Sequence, residues 1–136
     1  MVNNLTNQPV MTAFFTDSSL DVMQGLFQSF FKNGLKESEG NYERNIENGL
    51  WIKWDSTGRI IDSTFYEKGK KITETLLVYH KNGIMESISH IRFTADTTSD
   101  SKNYDDSARL VSEVSFVGQK GLLKYYDKGN LTSSDS

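Results

Sequence analysis

The sequence predicts an all-β chain, an elongated antiparallel meander of about five repeated β-hairpins, and three observations predict it. First, glycines in turn settings recur at a fixed spacing: Lys32-Asn33-Gly34, Ser56-Thr57-Gly58 and Lys81-Asn82-Gly83 stand 24 and 25 residues apart. Asp127-Lys128-Gly129 lies nearly two periods further on, which puts a missing marker at Ala108, inside Asp106-Ser107-Ala108. Second, the residue four places before each marker is aromatic: Phe30, Trp54, Tyr79, Tyr104 and Tyr125. Third, Asn, Thr or Lys directly before Gly suits a type I turn closed by a left-handed residue, the G1-bulge hairpin.

Each element then follows in order. Val10 to Phe15 reads as an extra strand, at about 10–16, that pairs with 23–31 through Asp17-Ser18-Ser19. Asp21 to Phe31 also reads as one amphipathic helix; strand is favoured because Phe27, Phe30 and Phe31 align with the repeat. Further strands are expected at about 35–43, 49–54, 59–67, 72–80, 84–94, 109–117 and 121–126, with a short one near 130–133. The resulting organisation is an N-terminal segment 1–22, a repeat domain 23–131 and a disordered tail 132–136. A polar insert, 94–103, interrupts the repeat, so the first strand of the fourth hairpin is expected to be weak or replaced by a mobile loop. Within a hairpin, counting by two places the residues at −4, +2 and +8 from each marker on one face, a continuous aromatic stripe. The opposite face then carries Phe27, Trp51, Leu76 and Leu122, with Ile61, Phe65, Ile84 and Ile88 nearby.

Composition bounds function. The chain has 136 residues, 36% hydrophobic and 12% aromatic with a single Pro, enough core-forming residues for one ordered domain. There is no Cys, which removes disulfides, thiolate metal sites and Cys nucleophiles. A net charge of −3 disfavours a binder of phosphate backbones, so no nucleic-acid partner is expected. No apolar run approaches the roughly 20 residues that span a bilayer, so no membrane insertion is expected. Met1 to Val10 has neither a basic start nor an apolar core, and the sequence as written reads as cytoplasmic, or as periplasmic or exported if a signal peptide was removed.

The candidate chemistry is sparse. His80 sits beside a turn opposite Ile84 and His90 opposite about residue 74, roughly 20 Å apart along a strand, too far to share a metal. No Gly-x-Ser-x-Gly elbow is present, and Glu37, Glu39, Glu74, Glu86 and Glu113 are scattered over the strands rather than paired across a cleft. Asp96, Asp100, Asp105 and Asp106 form an acidic stretch without the spacing of a calcium loop. No catalytic residue, metal ligand or cofactor is therefore assigned, and the chain is not expected to be an enzyme. Surplus apolar surface points to binding: Trp51, Ile61 and Phe65 are the expected anchors for a protein partner. Asp96 and Asp100 are expected to speed its association.

The stretch Gly49-Leu50-Trp51-Ile52-Lys53-Trp54-Asp55-Ser56-Thr57-Gly58-Arg59-Ile60, followed by Tyr66-Glu67-Lys68-Gly69-Lys70, resembles a MORN-repeat variant. The first unit (Phe30-Phe31-Lys32-Asn33-Gly34, then Glu39-Gly40-Asn41-Tyr42) and the last (Gly121 to Asp127) look similar, so the resemblance covers roughly 23–131. It departs at Ala108 and in the polar insert. The resemblance implies stacked hairpins serving as an interaction surface, without catalytic residues, in a bacterial family whose members are often labelled antitoxins or immunity proteins. A cognate toxin is the partner so implied; the alternative is a structural or scaffold component of a bacterial envelope assembly.

Overall fold

The computed structural model describes residues 10–16, 18–127 and 130–135. The protein is all-β: eleven antiparallel strands form a meander in which strand order follows chain order, and no helix occurs among the described residues. Two compact units divide it, Met1–Lys71 and Ile72–Ser136. The first holds β1 (Met11–Phe15), β2 (Met23–Phe30), β3 (Lys36–Glu43), β4 (Ile46–Trp54), β5 (Ile60–Glu67) and the start of β6 (Lys70–Tyr79). The second continues β6 and adds β7 (Met85–Arg92), β8 (Thr98–Tyr104), β9 (Leu110–Val117), β10 (Lys120–Asp127) and β11 (Asn130–Asp135). Of the two readings of 21–31, the strand is the one adopted, and Ala13 pairs with Phe27 as the N-terminal hairpin requires.

The repeat ruler rests on turn chemistry. At each of four markers the backbone N–H donates to the carbonyl three residues earlier: Gly34 to Phe31, Gly58 to Asp55, Gly83 to His80 and Ala108 to Asp105, at 2.9–3.0 Å. The marker is left-handed every time, with φ of 87°, 92°, 87° and 64°. Phe30 pairs with Lys36, Trp54 with Ile60, Tyr79 with Met85 and Tyr104 with Leu110, each at a register shift, which is the −4 to +2 pairing expected of a G1 bulge. Ala108 thus occupies the glycine position despite its Cβ, a conformation that costs an L-residue about 1–2 kcal/mol. Ala108→Gly is accordingly expected to stabilise the second unit by about 1 kcal/mol, since relief of that strain exceeds the added entropy of the unfolded chain. A rise in urea midpoint at constant m-value checks it; a fall shows the alanine conformer to be unstrained.

Four expectations are corrected. The fifth hairpin does not follow the ruler: Tyr126, not Tyr125, pairs with Leu131, while Tyr125 pairs with Ser133; the Lys128-Gly129 turn itself lies outside the described residues. The polar insert is not a missing strand, because β8 pairs along its length with β7 and β9, and only 93–97 is a loop. Polar residues suffice there because both neighbours supply a backbone ladder, and the side chains pair in kind, Ser89 with Ser101 at 2.8 Å and Asn103 with Ser112 at 3.0 Å. The strand β11 likewise carries pairing through residue 135, into the tail expected to fray.

The fourth correction is the face of the +8 residues. Each bulge adds one residue to the strand after the turn, so the two-residue alternation slips by one. The slip is visible at Ser29, whose hydroxyl meets both Glu37 and Ser38. Beyond it Tyr42 shares a face with Phe27 and Trp51, not with Phe30 and Trp54. The three rings form an aromatic cluster in the first unit, with centroids 5.6 Å (Phe27–Tyr42), 5.7 Å (Phe27–Trp51) and 4.9 Å (Tyr42–Trp51) apart. In the second unit the same count separates Leu76 from Leu122: Leu76, Ser89, Ser101, Val114 and Leu123 line up across β6–β10 on one face, and Leu122 is on the other.

Candidate functional site

Trp51 is the one large apolar side chain among the described residues that is buried, at 8% exposure. Three sequence features place it there. Phe27 and Tyr42 flank the ring, its Nε1–H donates to the Asn41 carbonyl at 3.1 Å, and Gly40 beneath it has no side chain to keep the indole off the backbone. Burial against the same rings raises the Tyr42 phenol above its ordinary range. Trp51 is therefore core to its own sheet, and the expectation that it is an exposed anchor is corrected.

The other expected anchors are split. Ile61 is half-buried on the Trp51 side, lining a shallow groove of about 480 Å³ with Ser29, Ser38, Lys53 and Asp55. Phe65 is on the opposite face, because the pairing sets Trp51 against Thr64 and Leu50 against Phe65. There Phe65 is 39% exposed and Leu50 50%. Ile52, Trp54 and Ile60 extend the same side, with Ile52 paired to Ser63 and Trp54 to Ile60. The Lys36 ammonium stands 5.5 Å from the Trp54 ring centre and 3.0 Å from Glu39, whose carboxyl is held below its usual range by bonds from Gln28 and Lys36. This β4–β5 strip, apolar and open with a charged rim, is the candidate binding surface of the first unit. Leu50 was not singled out from the sequence; it becomes visible once the bulge is counted.

Asp96 and Asp100 are not in one loop. Asp96 is exposed in 93–97, whereas Asp100 is a strand residue of β8, directly between His90 and Ser115. His80 is where expected, its N–H on Ile84, and its Nε2 contacts the Tyr104 carbonyl at 2.8 Å. His90 faces Thr75, one place from the residue expected, with Nδ1 3.0 Å from Oγ1. The turns carry their own electrostatics. Hydrogen bonds from the Thr57 hydroxyl and the Arg59 and Thr57 amides, together with the Arg59 guanidinium, hold Asp55 down at about 2. Asp105 and Arg109 repeat the arrangement in the second unit. Both clamps fix turn geometry and leave the carboxylates committed to their own hairpins.

No family model matches the chain, and no curated protein matches it.

Proposed function

We propose that the protein is a non-catalytic protein-binding module whose first unit docks its partner on the β4–β5 strip around Leu50 and Phe65. The observation that carries this reading is that directly opposed pair, half out in water on a face whose burial the Trp51 cluster does not use. Large side chains that a sheet does not need for its own core are where binding energy concentrates, and a polar rim around them completes the pattern. The resemblance to MORN-repeat variants of antitoxin and immunity type supports a proteinaceous toxin as that partner.

The test places a photo-crosslinking phenylalanine analogue at position 65 in cells of the native host and, as a control, at the exposed position 53 on the Trp51 side. The expected result is one discrete protein adduct from position 65, absent from position 53 and lost when Leu50→Glu is added while the melting temperature stays within a few degrees. No adduct at 65, or equal adducts at both positions, overturns the assignment of this face.

A further inference from the structure

The meander has two edge strands, β1 and β11, and they differ in kind. β11 sets Asn130, Thr132, Ser133 and Ser134 toward water. β1, Met-Thr-Ala-Phe-Phe, holds no charge and no proline, the residues that commonly keep an edge from pairing. It is not bulged either. The irregularity opposite Phe14 takes its additional residues from β2, because Ala13 pairs with Phe27 and Phe15 with Met23, so β1 keeps a regular alternation.

Two hydrogen bonds fix which way the β1 backbone points. The Val10 carbonyl accepts from the Phe30 N–H, and the Thr16 N–H donates to the Val22 carbonyl, each at 2.9 Å. Successive residues turn their N–H and C=O groups to opposite sides of a strand, so the even-numbered residues face β2. The N–H and C=O groups of Met11, Ala13 and Phe15 point away from it, and no strand meets them among the described residues. We propose that β1 is a dimer interface, pairing antiparallel with β1 of a second copy about Ala13. In that register Met11 exchanges backbone bonds with Phe15 of the second copy and Ala13 with its own counterpart, so every outward group on both chains is used. The side chains agree. Met11 meets Phe15 and Thr12 meets Phe14, which is 60% exposed in the single chain, while only Ala13, the smallest side chain of the strand, faces its own copy on the two-fold axis. Such a pair closes, whereas β1 on β11 of a second copy leaves an edge free at each end and grows as an open chain. One strand of five residues buries less than a permanent interface does, so the dimer forms and dissociates with concentration. It uses neither Leu50 nor Phe65, and its failure would leave the β4–β5 strip untouched.

Sedimentation equilibrium of the full chain over a range of concentrations tests this, with a reversible rise toward the dimer mass expected. Ala13→Pro removes the central outward N–H at a position where edge strands accept proline. It should weaken the dimer about tenfold or more and leave the melting temperature of the monomer within a few degrees. Cysteines read the register, since the chain has none of its own. Thr12 and Phe14 of the second copy form a non-hydrogen-bonded pair, about 4.5 Å between Cα positions, which is within disulfide reach. Mixed Thr12→Cys and Phe14→Cys chains should therefore cross-link under mild oxidation much faster than either variant alone. The proposal is overturned by a chain that stays monomeric at every concentration, by a folded Ala13→Pro variant that dimerises as the wild type does, or by cross-linking no faster in the mixture.

Discussion

Trp51→Ala lowers the protection of β3 and β4 amides in native-state hydrogen exchange by about 3–5 kcal/mol, the range for removing a large aromatic from a packed site. The ring contributes three things at once: the faces turned to Phe27 and Tyr42, the Nε1–H bond to Asn41, and the cover it gives the Gly40 backbone. Among the described residues no second layer stands behind it to collapse into the space, so the cavity opens to water and the exposed Asn41 carbonyl is rehydrated. Substitution of Trp54, which is half-buried on the opposite face, should cost clearly less despite identical chemistry. A loss below about 1 kcal/mol for Trp51→Ala rejects the assignment of Trp51 as core.

Gly40→Ala is expected to destabilise the same strands by about 3 kcal/mol, at the upper end of what overpacking costs. A Cβ at residue 40 lies 2.0 Å from Trp51 Cδ2, 2.3 Å from Cε2 and 2.5 Å from Cγ, so the indole must leave. It cannot slide aside without giving up the Asn41 bond or its contacts with the two flanking rings. The diagnostic outcome is non-additivity. In a Trp51→Ala background the methyl group of Gly40→Ala meets open space, and its added cost should drop below about 1 kcal/mol; equal costs in both backgrounds sink the mechanism.

Much of this architecture is legible because hairpin turns are local. The glycine ruler, the −4 to +2 pairing and even the left-handed Ala108 depend on a few adjacent residues, and their chemistry is written in sequence order. The faces beyond the turns are not legible by counting in twos. A bulge two or three residues after each marker inverts every later side chain, which moved Tyr42 to the Trp51 cluster and Phe65 away from it. The strand β8 was hidden for a different reason: Thr98–Tyr104 holds no aliphatic residue, and strand formation there rests on neighbours remote in sequence. The binding candidates divide along the same line. Phe65 stood out as surplus apolar surface, but its partner Leu50 depends on register, which composition does not show.

Among the described residues of either unit no second layer covers a sheet face, and Trp51 is the only large apolar group among them taken almost wholly out of water. Unfolding therefore hydrates little new hydrocarbon per residue. The heat-capacity increment of such a chain falls below the about 12–15 cal/mol/K per residue of ordinary globular domains, and its stability curve is correspondingly flat. Cooling removes little of the driving force and warming adds little, because the folded state is held mainly by ladder hydrogen bonds and cross-strand pairs. A protein built this way trades peak stability for near-constant stability over a wide range of temperature.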